Sequence, residues 1–302
     1  MGNEAILHEL TTRDQNRDVL AFCVLEIEKT CKKLNLDECV KSSAMTFFRR
    51  FYLNQNVIEF DPRAILFACI WVAIKVEDLN VNIEEFERTC GNEKKCNKQA
   101  LHLNEVLVLR ALKFQLHVYN PFEIISSLSS QLREKNPQLD LREIEAKAKV
   151  LASSSFTSTS LIFLHSPGVL ALACLSCAAE ELQFDPETVI REIYARSPEF
   201  PQSFQKCKLE VKAAAELRRS IELNDKGIRN IVGKLSAFAR KNQEFYAKLA
   251  AERMKRDKEQ LGDWRDSDEE DFAVPSERKR TREAAGIEAS NDLPAQKPNL
   301  AD

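Results

Sequence analysis

The chain has 302 residues, of which 44% are hydrophobic, so it can bury a sizeable core in about two domains of ordinary size. Its formal net charge of -3 gives no general case for nucleic-acid binding. No apolar run reaches the roughly 20 residues that span a bilayer, and the amino terminus lacks the basic flank and apolar core of a signal peptide. We therefore expect a soluble intracellular protein that does not act at a membrane.

The scarcity of glycine predicts an all-α fold, because tight turns between strands use glycine and this chain has only seven. Four Xaa-Pro pairs, each with a capping side chain before the proline, mark helix starts at Asp61-Pro62, Asn120-Pro121, Ser166-Pro167 and Asp185-Pro186. The apolar periodicity predicts five helices at about 18–34, 38–55, 62–79, 83–90 and 97–116. Five more follow at about 121–135, 141–164, 167–183, 186–195 and 202–222.

The two groups of five helices resemble each other in sequence. The segment DPRAILFACIWVAIKVEDL from Asp61 aligns with SPGVLALACLSCAAEELQF from Ser166, so that Cys69 matches Cys174. A duplicated helical unit is the economical explanation, and chance similarity between two buried helices is the alternative. In this alignment Lys75 is matched with Glu180, so only the first unit has a lysine at this position.

The carboxyl-terminal part differs in composition. Residues 224–261 carry apolar residues at the spacing of one helix face and are predicted to form an additional amphipathic helix. Residues 262–302 are predicted to be a disordered charged tail. Ser267 precedes three acidic residues and is a candidate phosphosite, and a candidate nuclear-import patch comprises Arg278, Lys279, Arg280 and Arg282. Solvated charge is the alternative for this patch.

The sequence gives little support for catalysis, a cofactor or a metal. Its four histidines lie far apart and none has a cysteine at metal-ligand spacing, and no two glycines form a phosphate-cradling loop. Cys174 and Cys177 form a CxxC within an apolar helix, which favours buried thiols over a zinc site. We therefore expect a binding protein and not an enzyme.

Two charges interrupt apolar stretches and are the candidates for binding. Lys75 follows the run AILFACIWVAI, and Glu105 lies in a second apolar stretch thirty positions later. If both project from one face, they form a two-pronged contact for another polypeptide. A lysine in the last turn of a helix is also favoured by the helix dipole, which is the alternative for Lys75. The predicted binding set adds the apolar neighbours of these charges at helical spacing: Trp71, Val72, Leu79, Leu101 and Val108.

This arrangement resembles the cyclin fold, in which a lysine ends the third helix and a glutamate lies in the fifth. MTFFRRFYLNQNVIEFDPRAILFACIWVAIKVEDLNV resembles the second and third helices of the transcriptional cyclins, and LNEVLVLRALKFQLHVYNP resembles the fifth helix with its exit. RRFYL, KVEDLNV and LIFLHSPGVLALACL are most similar to the cyclin H type. The resemblance covers roughly 19–223.

The resemblance implies a non-catalytic regulatory subunit. In cyclins, the lysine and glutamate matching Lys75 and Glu105 bind the backbone around a mobile helix of a cyclin-dependent kinase. For the cyclin H type, the implied partners are cyclin-dependent kinase 7, a RING-finger assembly factor and the core of general transcription factor IIH. The complex would act in the nucleus, as a kinase-activating kinase and on the tail of RNA polymerase II.

The resemblance also implies a domain order. We expect an amino-terminal segment at 1–17, a kinase-binding first cyclin box at 18–120 and a second cyclin box at 121–223, followed by the helix and the tail. Two alternatives remain open: a cyclin C-like kinase subunit of Mediator, and a DNA-binding protein of the transcription factor IIB type. The second would carry an amino-terminal zinc ribbon, yet no CxxC pair precedes Cys174. Direct contact with nucleic acid is therefore not expected.

Overall fold

A computed structural model describes residues 13–90, 96, 98–135, 141–184 and 200–241, which form eleven α-helices and no strand. The all-α prediction is confirmed. The described residues lie within one compact unit, Met1–Tyr246, and the second unit, Ala247–Asp302, falls outside them. The helices are α1 (Arg13–Lys33), α2 (Glu38–Asn54), α3 (Pro62–Val76), α4 (Ile83–Thr89), α5 (Lys98–Ala111), α6 (Pro121–Lys135), α7 (Arg142–Ser155), α8 (Thr159–Leu164), α9 (Pro167–Glu181), α10 (Phe200–Leu223) and α11 (Asp225–Lys241).

Helix α3 is the centre of the first repeat. It packs against α1, α2 and α5, and its side chains from Ile65 to Ile74 are all buried. The Asp61 carboxylate accepts a hydrogen bond from the backbone N–H of Arg63 at 3.0 Å, and Pro62 occupies the first helical position. A helix that is apolar on every side needs neighbours on every side, so the other helices of the repeat surround it.

Helix α9 has the corresponding place in the second repeat, where it packs against α6, α7 and α10. It begins at Pro167 after Ser166, whose hydroxyl accepts from the N–H of Val169 at 3.4 Å. The tandem arrangement is confirmed, as are the predicted helix starts at Pro62, Pro121 and Pro167. The predicted start at Asp185-Pro186 and the helix 186–195 lie outside the described residues.

Several helix boundaries differ from the sequence prediction. The first helix begins at Arg13 and not at about 18. The predicted helix 141–164 is interrupted at 156–158, the predicted third helix ends at Val76 and the predicted fifth helix ends at Ala111. Asp78, Lys113 and Phe114 have φ angles of 54°, 51° and 57°, in the left-handed region that terminates a helix. Apolar periodicity continues past each of these points, so it could not locate them.

The interruption between α7 and α8 is stabilised from the first repeat. Arg49 of α2 is only 2% exposed, and its guanidinium donates to the carbonyl oxygens of Phe156 at 2.7 Å and Thr157 at 2.5 Å. Burial lowers the pKa of Arg49 to about 10, which leaves the side chain charged at neutral pH. The two repeats are therefore joined by a buried cation that binds backbone carbonyls of the segment between α7 and α8.

The carboxyl-terminal helices return to the first repeat. Arg218 of α10 pairs with Glu28 at 2.9 Å, and Arg229 of α11 pairs with Glu26 at 3.1 Å. Helix α11 packs against α1 and α3, which supports the predicted docking of this helix as far as Lys241. The predicted continuation at 242–261 and the predicted tail at 262–302 lie outside the described residues. Among the helices that the structure describes, none combines the length and apolarity of a membrane span.

Candidate protein-binding surface

Lys75 and Glu105 meet on one face of the first repeat. Lys75 lies in the last turn of α3 and Glu105 lies near the middle of α5, and these helices pack against each other. The Lys75 ammonium donates to Oε1 of Glu105 at 2.6 Å. The Lys75 side chain is 46% exposed and that of Glu105 is 15% exposed, so the pair lies at the edge of the core. The two charges thus project from one face, the condition under which they could form a contact for another polypeptide, and their role in binding stays a prediction.

Two further side chains complete the surroundings of the pair. Nζ of Lys75 lies 5.4 Å from the centre of the Trp71 ring, within the range of a cation–π interaction. On the other side, Nδ1 of His102 lies 3.6 Å from Oε2 of Glu105. His102 is one turn before Glu105 on α5, a spacing that places the two side chains side by side. The Glu105 carboxylate therefore lies between an ammonium and an imidazole.

The apolar members of the predicted binding set lie inside the chain. Val72, Leu101 and Val108 are at most 1% exposed and Trp71 is 7% exposed, while Leu79 is half-buried. The sequence placed both charges on apolar stripes, but those stripes face the core because α3 is surrounded on all sides. A partner would contact Lys75 and Glu105 directly, and these apolar residues would hold the two side chains in position from the core side.

Other apolar side chains of the same two helices face outward. Leu103 is 71% exposed and Val106 is 44% exposed, both on α5, and Val76 at the end of α3 is 37% exposed. They are not among the residues predicted from the sequence, because apolar residues occur on several faces of α5 and periodicity alone does not show which face is buried. Val76 follows Lys75 directly, whereas the helical spacing turns Leu103 and Val106 to a different side of α5 from Glu105.

At the position that aligns with Lys75, the second repeat has Glu180, so the charge on its central helix has the opposite sign. Glu180 of α9 accepts hydrogen bonds from the ammonium groups of Lys208 and of Lys212, the latter at 2.9 Å, both on α10. Burial raises the pKa of Glu180, but these hydrogen bonds outweigh it, so the pKa lies below its usual value. The second repeat therefore presents an anion on its central helix and cations on the facing helix.

The remaining candidate residues of the sequence analysis do not join this surface. Cys174 and Cys177 are buried, as predicted, and burial raises the pKa of the Cys177 thiol to about 11. Within the described residues, no group of three or more His, Cys, Asp and Glu side chains could hold a metal. The candidate phosphosite Ser267 and the candidate import patch of Arg278, Lys279, Arg280 and Arg282 lie outside the described residues.

Sequence comparison finds similarity to known proteins in the first repeat. The family description "Cyclin, N-terminal domain" matches residues 4–117. Cyclin-H of Xenopus laevis is 28% identical over 164 residues, which cover 53% of this chain and 50% of that protein. Cyclin-C1-1 of Oryza sativa is 27% identical over 175 residues, which cover 56% of this chain and 65% of that protein. The chain matches about half the length of cyclin-H relatives.

Solved structures support the fold. A chain of the CAK complex of Chaetomium thermophilum matches with a TM-score of 0.63 and 21% identity, over 78% of this chain and 80% of that one. A chain of the yeast TFIIK complex, Kin28/Ccl1/Tfb3, matches with a TM-score of 0.56 and 21% identity, over 66% of this chain and 87% of that one. The first repeat, in which Lys75 meets Glu105, is thus matched by the cyclin N-terminal domain, and the chain is similar to cyclin H and related transcriptional cyclins.

Proposed function

We propose that the chain is a cyclin H-like regulatory subunit that binds and activates a cyclin-dependent kinase of the kinase 7 type. The observation that carries the proposal is the Lys75–Glu105 pair, which lies at the edge of the domain matched as a cyclin N-terminal domain. Similarity to cyclin H, and fold similarity to a chain of the CAK complex, supports the choice of kinase. The chain itself would be non-catalytic.

The geometry suits recognition of a partner backbone. The Lys75 ammonium can donate to a main-chain carbonyl and the Glu105 carboxylate can accept from a main-chain N–H, as the end of a helix requires. Val76, next to Lys75 at the end of α3, adds exposed apolar surface, and Leu103 and Val106 form a further exposed apolar side of α5. A stable interface buries on the order of 1,600 Å² in total, so these residues would form one part of a larger contact. The chain would set the position of a mobile kinase helix, and the kinase would carry out phosphoryl transfer.

The wider assembly belongs to the same proposal. We place the subunit in a nuclear kinase-activating complex with a RING-finger assembly factor and in general transcription factor IIH, where it promotes phosphorylation of cell-cycle kinases and of the RNA polymerase II tail. The yeast relative of known structure is in a complex of three named proteins, Kin28, Ccl1 and Tfb3, which supports a ternary assembly. The basic patch that includes Arg278 and Arg280 would serve nuclear import.

The experiment is affinity purification of the tagged chain from its own cells, with mass spectrometry and a kinase assay of the bound material. We expect the wild type to retain an active kinase of the kinase 7 type. The double variant Lys75→Ala, Glu105→Ala should lose binding, because a charge buried in a complex is worth about 2 to 5 kcal/mol of affinity.

A second ion pair with the same distance between its charges and a similarly exposed lysine provides the control. Lys147 and Glu181 pair at 2.6 Å in the second repeat, with side chains that are 42% and 35% exposed. The double variant Lys147→Ala, Glu181→Ala should retain the kinase. Full activity with the Lys75 and Glu105 variant would remove these residues from the site, and the absence of any cyclin-dependent kinase in the wild-type sample would remove the proposed function.

A second candidate is a cyclin C-like kinase subunit of Mediator. It is favoured by the 27% identity to cyclin-C1-1, which is close to the value for cyclin-H. The same purification separates the two candidates, because the cyclin C-like function predicts a Mediator kinase and Mediator subunits in place of transcription factor IIH subunits.

A further inference from the structure

A cleft lies beside the connector between the two repeats, away from the Lys75–Glu105 pair. It has a volume of about 250 Å³, and neither member of the pair lines it. This is slightly below the roughly 300 Å³ at which sites for drug-sized ligands begin, so it suits a small group such as the side chains of a short peptide segment. Most of its lining is apolar, contributed by Val118, Pro121, Phe156, Ile162, Phe163, Pro167 and Leu170, together with the exposed Tyr119.

Arg50 gives this apolar cleft a cation. Nη1 of Arg50 donates to the carbonyl oxygens of Gln115 at 3.0 Å and His117 at 3.4 Å, and Nη2 donates to that of His117 at 3.4 Å. An arginine has five N–H donors, so these bonds leave the Nε–H and one Nη2 N–H without a partner in the described part of the chain. Those two N–H groups form one side of the guanidinium, a fork that matches the two oxygens of a carboxylate.

The charge of Arg50 has no carboxylate partner among the described residues. Its bonds go to backbone carbonyls, and burial lowers its pKa from the usual arginine value. The other titratable groups of the lining are His165 and Tyr119, and His165 already contacts Glu210 at 3.3 Å. A second cation lies behind the lining, because the buried Arg49 is bound to the carbonyl of Phe156. The cleft is therefore complementary to a ligand that carries an anionic group next to an apolar group.

The geometry points to a second docking site, in which this cleft binds a short segment of a partner polypeptide that carries an aspartate or glutamate next to a large apolar side chain. The carboxylate pairs with the open side of Arg50, and the apolar side chain enters the cleft beside Tyr119 and Ile162. The backbone carbonyls of Gln115 and His117 hold the guanidinium in position before the ligand arrives, which reduces the entropy lost on binding.

The test is selection of peptides from a random twelve-residue library displayed on phage, with the full chain as bait. We expect the selected peptides to be enriched in a carboxylate within two residues of an aromatic or large aliphatic side chain. The tightest peptide is then synthesised with an amidated carboxyl terminus, and its affinity is measured by fluorescence polarisation. Arg50→Gln should weaken binding about tenfold or more, the value of a hydrogen bond to a charged group.

A double-mutant cycle separates direct pairing from a change in fold. Replacing the peptide carboxylate by its amide should weaken binding to the wild type but have little further effect on Arg50→Gln. Tyr119→Ala removes an exposed side chain of the lining and should also weaken binding, whereas Arg219→Gln, an exposed arginine outside the cleft, should not. Peptides without acidic enrichment, affinity independent of Arg50, or a requirement for a free terminal carboxylate would each overturn the proposal.

Discussion

Leu101 and Leu103 are two residues apart on α5 and lie in opposite environments. Leu101 is fully buried one turn before Glu105, and Leu103 is 71% exposed on another side of the helix. Leu101→Ala should lower the free energy of unfolding by about 2–5 kcal/mol, because it leaves a cavity in the core. Leu103→Ala should change it by no more than about 0.5 kcal/mol, because its side chain is exposed. Denaturant unfolding of both variants tests this contrast, and equal effects on stability would contradict it.

At the scale of elements, the stability that the charged link between α9 and α10 contributes should depend on pH. The pKa of Glu180 lies below its ordinary value of 4.5, so its pairing with Lys208 and Lys212 stabilises the folded chain above that pH and is lost as pH falls through the lowered value. Glu180→Gln should therefore be less stable than the wild type at pH 7, with the difference shrinking at pH values below 4.5.

The measurement is the free energy of unfolding as a function of pH. Glu216→Gln, an exposed position in the middle of α10, is the control and should leave the pH profile of the wild type unchanged. If the difference in the free energy of unfolding between Glu180→Gln and the wild type stays constant down to the lowest pH measured, this link does not stabilise the fold.

The helices show how much of the fold and of the candidate site could be predicted from sequence. Capping side chains before prolines locate helix starts because the signal is local, as at Pro62 and Pro167. The interruption at 156–158 was not predictable, since it depends on Arg49, more than a hundred positions away. Similarly, the charges at 75 and 105 were visible as interruptions of apolar runs, but the exposed face of α5 with Leu103 and Val106 is decided by packing against α3.

At the scale of the whole molecule, Arg49 joins the two repeats. Arg49→Met should leave the carbonyls of Phe156 and Thr157 without these donors, at a cost of about 1–3 kcal/mol each. We expect a lower free energy of unfolding and a shallower dependence on denaturant, since the repeats would no longer unfold as one cooperative unit. Circular dichroism during guanidinium unfolding measures both quantities, with Arg219→Met as the control. An unchanged slope would mean that other contacts suffice to couple the repeats.

The ion pair between Lys75 and Glu105 also bears on the order of events in the cell. Each charge already has its complement within the chain, and both remain in contact with water. Neither of these two charges is therefore left uncompensated, and the chain can fold to completion before it meets the proposed kinase partner. Assembly with that kinase would then be an exchange of one set of partners for another, so a reservoir of free subunit could persist and the supply of kinase could set the amount of complex.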